Sequence, residues 1–490
     1  MTCILFFINK WGDYSFDSLH PTLMNNLTPP PDGNVSCALH FRNARAHEFT
    51  LHPTLAPGWY RTKRVFLGAF FILIWVFSVN GETEPYPTVT SKKGLQVQMV
   101  DDAVSLGIKH AALNCDLAGL LELTNSAHSI SHTWQGKPYF FRESTVSHMD
   151  QQIKPLASAG VLVSLIILVY ESQNPEVNRL LIHPGYDKKA PNRLGAFNTV
   201  TTEGKAAYQA CLSFLASRYG SSKSPHGRVV NYIIGNEVNS HWFWSNMGRV
   251  SMEQFADSYL ISVRAADEAV KMHDKAARIF VSLEHHWNIH YPGGDASQTF
   301  AARPFLEYFA SKARVGGDFA WHVAFHPYPE NLFEPRTWLD KSATFDPDSP
   351  RITFRNLPLL TQFLEQPALK YKDQPRHVIL SEQGFHAKAG AEGELLQAAA
   401  YAYAYKQVEA LPSIDAFILH RHVDHSHEGG LNLGLWERKA DSIATPGRQR
   451  KIYEVFQAAD TTNQTEKFSF ALPIIGITSW DQLKNQKLKK

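Results

Sequence analysis

Strict alternation of short apolar runs with amphipathic stretches predicts an α/β fold, a (β/α)8 barrel, for most of this 490-residue chain. Three observations carry the prediction. Eight strand-like runs alternate with eight helical patterns over about 365 residues. The runs are continuously apolar, as "VLVSLIILVY" at 161–170 illustrates, which suits parallel strands buried on both faces. No GxGxxG or Walker motif opens any of the helices, which argues against the competing topology, a doubly wound nucleotide-binding sheet.

In chain order the strands fall at 95–98, 109–117, 161–170, 229–236, 278–283, 319–326, 377–381 and 416–421. The helices fall at 99–106, 146–159, 203–219, 252–273, 303–312, 357–366, 394–409 and 448–458. These place the barrel at 94–460. A tail at 461–490, with the strand-like "KFSFALPIIGI", is expected to pack on its outside. Long connections at 118–145, 171–202 and 327–355 are expected to build a groove.

The segment ahead of the barrel differs in kind. Residues 1–60 carry Pro clusters such as "TPPPDG" and no sustained period, as a leader or spurious extension would. In the 61–85 segment, Arg61, Lys63 and Arg64 precede an uncharged run at 65–79. As a helix that run spans about 22 Å, short of the roughly 30 Å hydrocarbon core. It reads better as the apolar region of a signal peptide than as a buried helix, and implies export to the periplasm, cell surface or medium, with membrane attachment through 65–79 if the segment is kept. N-terminal sequencing of the exported protein checks this, and a mature start inside 1–60 refutes it.

Composition narrows the function. The chain is 44% hydrophobic and 19% charged, which is globular, and 48 basic against 46 acidic residues leave a net charge of +2. Such a balance gives no footprint for nucleic acid. Of four cysteines, Cys3 and Cys37 lie in the leader, and Cys115 and Cys211 fall on a strand and a helix as core residues, so no disulfide framework is expected. No cofactor is called for.

A barrel places its chemistry at the carboxyl ends of its strands. The fourth strand, "VVNYIIGNE", ends in Asn236 and Glu237, and the seventh, "HVILSEQGF", in Glu382. Either Glu alone reads equally as a strand-end residue paired with a cation. Two at matching ends, 145 positions apart, point to a carboxylate pair over one face.

With these motifs the chain resembles the retaining (β/α)8 glycoside hydrolases of clan A, over about 94–460, and more closely an uncharacterised bacterial domain family of glycosidase-like barrels. A further match is "FHPYP", with His326 and Tyr328 after strand six. The resemblance implies a carbohydrate substrate, with Glu237 as acid/base and Glu382 as nucleophile. It further implies that Asn236 binds the sugar hydroxyl beside the anomeric carbon, that Tyr328 orients the nucleophile, and that His326 lines the subsite. Sugar rings present apolar faces, so aromatic platforms are expected as well. Trp242 and Trp244 in "SHWFWSN", and Trp287 in "EHHWN", are the candidates. Asn114 and Asp116, near the end of strand two, are further candidate contacts.

Strand eight departs from the pattern, reading "ILHRHVDHSHEGG" where many clan members carry a Trp. Arg421 or His422 there would suit an anionic sugar. The same histidines open a rival reading, a metal-dependent barrel hydrolase using the 420–427 loop. The first strand, "LQVQ", lacks the His-x-His of barrel amidohydrolases. A third reading is a barrel that only binds glycans.

Overall fold

The computed structural model describes residues 84–484. Eight parallel strands close into a barrel: β1 (Lys93–Gln96), β2 (His110–Asp116), β3 (Leu162–Leu168), β4 (Val229–Ile234), β5 (Arg278–Glu284), β6 (Trp321–His326), β7 (Val378–Gln383) and β8 (Ile414–Leu419). Each pairs with its sequence neighbours, and β1 closes the ring against β8 with Lys93 opposite Phe417. The intervening helices are α1 (Val100–Ser105), α2 (Glu143–Ser158), α3 (Thr202–Tyr219), α4 (Met252–Lys271), α5 (Ala302–Val315), α6 (Pro358–Leu364), α7 (Ala391–Glu409) and α8 (Lys451–Ala458).

Local chemistry explains where these elements begin. At the start of α4 the Ser251 hydroxyl accepts from the Gln254 amide at 3.2 Å while the Gln254 side chain accepts from the Ser251 amide at 3.0 Å. That reciprocal pair satisfies two amides the first turn leaves without helical partners. Thr201 caps α3 in the simpler way.

Apolar residues on both faces of the strands build two cores. Ala112, Ile166, Ile233, Phe280, Ala324 and Ile379 fill the barrel. Their neighbours, among them Leu165, Ile234, Val281 and Leu380, face the helices in one larger cluster. Truncating such a residue, Leu165→Ala for example, costs about 2–5 kcal/mol.

Three features depart from the sequence reading. Strands β1, β3, β4 and β8 each end two residues before the expected end, at Gln96, Leu168, Ile234 and Leu419. The 118–145 connection contains a three-stranded antiparallel sheet, Leu121–Glu122, Ser129–Trp134 and Lys137–Arg142, docked on α3 by a stack of Phe141 on Phe214 at 4.1 Å. The strand-like tail is helical, at Gln464–Phe468 and Ala471–Ile475. A closed barrel offers the tail no edge to extend, so its apolar residues pack as helical turns, with the buried Phe468 against Tyr401 and Tyr405 of α7. Cys115 and Cys211 are buried free thiols. Cys3, Cys37 and the 65–79 run lie outside the described residues. Among the described residues no helix is long and apolar enough to cross a membrane.

Candidate active site

The "GNE" turn after β4 is where the backbone departs from the ordinary. Gly235 has φ +75°, and a Cβ there would also lie 3.1 Å from Val238. Glu237 itself takes a left-handed conformation, φ 42° and ψ 50°, which costs a residue with a side chain about 1–3 kcal/mol. Neighbours hold it there: its amide donates to the Ser282 hydroxyl at 3.0 Å, and its carbonyl accepts from the Ser240 amide at 2.8 Å.

Strand β7 reaches the same mouth by another device. Its pairing with β8 gains a residue between Leu380 and Gln383. Such an irregularity re-aims side chains at a strand end. Here Ser381 and Glu382, although adjacent, both face the mouth, since Ser381 bonds His326 and Glu382 bonds Tyr328.

The two glutamates meet. One carboxylate oxygen of Glu237, one of Glu382 and a ring nitrogen of His326 all lie within 4.8 Å of one another. Tyr328 donates its hydroxyl to Glu382 Oε1 at 3.2 Å, and Gln96, at the tip of β1, donates its amide to Oε2 at 3.3 Å.

His326 is not a subsite wall, as the sequence reading expected. It is 1% exposed and stands behind Glu237, with Nδ1 at 3.0 Å from Glu237 Oε1 and Nε2 at 2.9 Å from the Ser381 hydroxyl. A hydroxyl both donates and accepts, so Ser381 suits either neutral tautomer and the cation, and the proton of the Glu237–His326 pair can sit on either side.

Electrostatics separate the roles. Burial pushes the Glu237 carboxyl upward, the His326 hydrogen bond and charge oppose it, and the charges of Glu382 and Glu284 add to the rise. Burial alone would lower His326, but its bond to Glu237 and the charges of Glu382, Glu237 and Glu284 raise it. Burial together with Glu382, Glu428 and Glu237 pushes the Tyr328 phenol up, which keeps it a donor. Glu284 works against its own burial: the His286 ring, His285 and the His286 amide bring it to about 2, so a fixed negative charge stands behind Glu237. Arg351 donates to His286 Nε2 at 3.2 Å, which leaves Nδ1–H to donate to Glu284 at 2.5 Å.

The remaining predicted residues divide. Asn236, 9% exposed, precedes Glu237 at the mouth. Asn114 is exposed on the inward side of β2, two residues beyond Ala112 of the barrel filling. Trp244 is half-buried and, like Tyr170, packs against that filling. Trp287 is instead a core residue, 2% exposed, its ring 4.9 Å from Phe363 of α6. Trp242, 7% exposed, is covered by the Arg249 guanidinium at 5.4 Å and offers no open face. Asp116 spends its carboxylate on the amides of Ala118, Gly119 and Tyr170 at 3.0–3.1 Å.

In the strand-eight cluster His420, Arg421 and His422 are engaged by partners inside the protein. Arg421 donates to Glu428 at 2.5 Å, so its charge is already neutralised inside the protein. His422, 1% exposed, has Nε2 at 2.8 Å from Asp102, while Nδ1 accepts from the amides of Gln98 and Met99. His420 contacts Gln96 and Glu428.

Among the described residues, Glu284–His285–His286 and Glu237–His326–Glu382 bring three metal-ligating atoms together, and neither group includes a histidine of 420–427. In the first group His286 is engaged at both nitrogens by Glu284 and Arg351 while His285 Nδ1 is buried without a hydrogen-bond partner among the described residues; in the second His326 is engaged at both by Glu237 and Ser381.

Sequence reasoning missed Gln96, Ser381, Tyr170 and Tyr291. Glu237 and Glu284, after burial, act on the Tyr291 phenol. Gln96 was hidden by the misplaced end of β1, whereas Ser381 and Tyr170 were the expected last residues of their strands. Tyr170 also lines a cavity of about 470 Å³ with Asp116, Glu122, Arg142, Glu171 and Asn174, built from the 118–145 and 171–202 connections. Glu382 lies near enough to act, after burial and Asp116, on the Tyr170 phenol.

Residues 85–483 match the profile of DUF5722, a family of unknown function. No curated protein matches the chain. Solved structures similar to it include a family 39 glycoside hydrolase from the gut symbiont Bacteroides cellulosilyticus WH2, at 13% identity and TM-score 0.49, covering 76% of this chain and 64% of that one. A glucosidase from Croceicoccus marinus is 15% identical at TM-score 0.45, covering 77% and 68%. A hyperthermophilic β-glucosidase from Pyrococcus furiosus is 15% identical at TM-score 0.47, covering 76% and 86%. The chain thus spans less than two thirds of the first of these. At such identities the likeness bears on fold only, and the closed barrel rests on its own strand pairing.

Proposed function

This chain belongs to the DUF5722 family, and we propose that its barrel is a retaining glycoside hydrolase that cleaves an O-glycosidic bond of an oligo- or polysaccharide by double displacement. The observation that carries the reading is the approach of Glu237 and Glu382 to within 4.8 Å, oxygen to oxygen. Retaining enzymes hold their carboxyl groups about 5–5.5 Å apart, whereas inverting enzymes keep roughly 6.5–9.5 Å for a water.

The roles follow from surroundings. Glu382 receives two neutral hydrogen bonds, from Tyr328 and Gln96, which orient a carboxylate without removing its charge. It attacks the anomeric carbon as the bond to the leaving oxygen breaks. Glu237, pushed up by burial and by the charges of Glu382 and Glu284, keeps its proton and delivers it to that oxygen. In the second half Glu237 takes a proton from water, the water oxygen bonds to the anomeric carbon, and Glu382 departs.

The experiment is to incubate the protein with a panel of 2-deoxy-2-fluoro-glycosyl fluorides, map the labelled peptide by mass spectrometry, and follow the anomer first released from aryl glycosides by NMR. Label on Glu382 with net retention is expected; inversion, or label elsewhere, defeats the reading. A cation held by Glu237, His326 and Glu382 would instead appear as stoichiometric metal in the purified protein, with activity lost to chelators.

A further inference from the structure

The nucleophile's second oxygen leads away from the mouth into a buried chain of polar groups. Gln96 Nε2 donates to Glu382 Oε2 at 3.3 Å. A carboxylate only accepts, so this contact fixes the amide orientation and turns Gln96 Oε1 towards His420 Nδ1, with which it makes a short hydrogen bond. An amide oxygen also only accepts, so His420 Nδ1 carries a hydrogen. The other ring nitrogen lies 3.3 Å from Glu428 Oε1 and 3.4 Å from Oε2. Arg421 donates to the same Glu428 at 2.5 Å. His420 is 2% exposed and Glu428 1% exposed, so the chain runs out of reach of water.

Two links have a single direction, since His420 donates to Gln96 and Gln96 to Glu382, whereas Glu428, which accepts from Arg421, faces the opposite ring nitrogen of His420. Buried polar chains of this kind fix rotamers and polarise one another. Glu382 is thereby held by two donors from different strands, Tyr328 beyond β6 on one oxygen and Gln96 of β1 on the other.

We propose that Gln96 and His420 are positioning residues for Glu382: His420, anchored by Glu428 and Arg421, orients the Gln96 amide, and Gln96 fixes the plane of the attacking carboxylate. On this account the unusual charged end of strand eight is support for the nucleophile, not a contact for an anionic sugar. The inference rests on the assignment of Glu382 as nucleophile.

Kinetics on a panel of 2,4-dinitrophenyl glycosides, with the rate of Glu382 labelling by 2-deoxy-2-fluoro-glycosyl fluorides, tests it. Q96A is expected to slow labelling and kcat by about 10–100-fold, the scale of a nucleophile displaced by about 1 Å, with KM within about threefold. H420F, which keeps the ring volume, is expected to lose about 3–10-fold, and Q96A/H420F to be no slower than Q96A alone, because His420 acts through Gln96.

Q96E adds a pH readout. The titratable groups facing Glu382 are Tyr170 after β3, Glu237 after β4, His326 and Tyr328 at β6, and Glu428 with His420 behind Gln96. An extra carboxyl in Gln96's place should move the acidic limb of kcat/KM up by about one pH unit, since like charge disfavours the ionised nucleophile. Should Q96A not fold, Q96M preserves volume and removes both hydrogen bonds. Wild-type labelling rates in Q96A and H420F, or losses that simply multiply in the double variant, overturn the relay while leaving the glycosidase reading in place. A wild-type protein that neither hydrolyses nor is labelled by any member of the panel overturns both.

Discussion

The two ends of the barrel carry similar chemistry to opposite effect. At the amino end Arg278 pairs with Asp415 at 2.7 Å, His377 approaches the same carboxylate at 2.8 Å, and Tyr86 lies under the Arg278 guanidinium at 3.6 Å with its hydroxyl on Asn231 at 3.0 Å. Charge meets countercharge, and an aromatic ring covers the pair. At the carboxyl end the charges of Glu284 and Glu382 act on Glu237, and all three carboxylates act on His326 as their shared basic partner. One end is neutralised and covered, while the other concentrates negative charge beneath an opening, where an oxocarbenium-like transition state would be stabilised. Titratable residues alone therefore do not mark the site; several carboxylates gathered around one shared histidine at an open end do.

The sharpest way to break the comparison is Glu382→Ala. Loss of the nucleophile should lower kcat on aryl glycosides by at least about 10⁴-fold. Azide should restore part of it and give a glycosyl azide of inverted configuration, read by NMR. Retention of activity would remove the functional distinction between the two ends.

Glu237→Ala comes next, and its effect should depend on the substrate. Without a proton donor, glycosides with poor leaving groups should slow by about 10²–10⁴-fold, while 2,4-dinitrophenyl glycosides need no such help in the first step. A uniform loss across leaving groups, in a Brønsted series, would take the acid/base role from Glu237.

His326→Phe probes the balance between burial and pairing. His326 holds the Glu237 carboxyl down against burial. Removing it should let that carboxyl rise further, so the general acid stays protonated to higher pH. The alkaline limb of kcat/KM should move up, with a drop at the optimum of about tenfold as Glu237 loses its partner. A downward shift would mean that His326 itself supplies the essential proton.

How much of this was legible in the chain depends on the kind of signal. All eight strands and eight intervening helices appear near their expected places, because two-sided burial writes itself as continuous apolar runs and helix faces as a period of 3.6. Glu237 and Glu382 were readable because each directly follows such a run. Their approach depends on a left-handed residue at Glu237 and an extra residue in β7, neither of which has a sequence signature beyond Gly235. The aromatics divided for one reason. Trp287, Trp242 and Trp244 all follow strands, yet only packing decides whether a ring faces the mouth, as Trp244 does, or the helices, as Trp287 does. Arg421 and His422 looked ligand-ready because their partners, Glu428 and Asp102, stand 7 and 320 positions away, and nothing local announces such pairs.

The smallest effect on catalysis, and the control for the comparison, belongs to the amino end. Asp415→Asn removes the charge that Arg278 and His377 face. Burial opposes ionisation of Asp415, but the His377 hydrogen bond and the charges of His377, Arg278 and His110 outweigh it, so its folded-state pKa is lowered. A lowered carboxyl pKa contributes stability that is present above the unfolded value of about 3.9 and is lost as pH falls through the folded value. The variant should therefore be less stable than wild type by about 1–3 kcal/mol at neutral pH in urea unfolding, the scale of a hydrogen-bonded ion pair with side chains only 17% and 25% exposed. That gap should shrink as pH drops below about 4, because wild type then loses the charge the variant never had. Rates on aryl glycosides should stay within about twofold and the pH–rate profile should not move. A displaced profile would mean that charge at the covered end reaches the carboxylates at the open one, and the two ends would then have to be treated as one electrostatic unit.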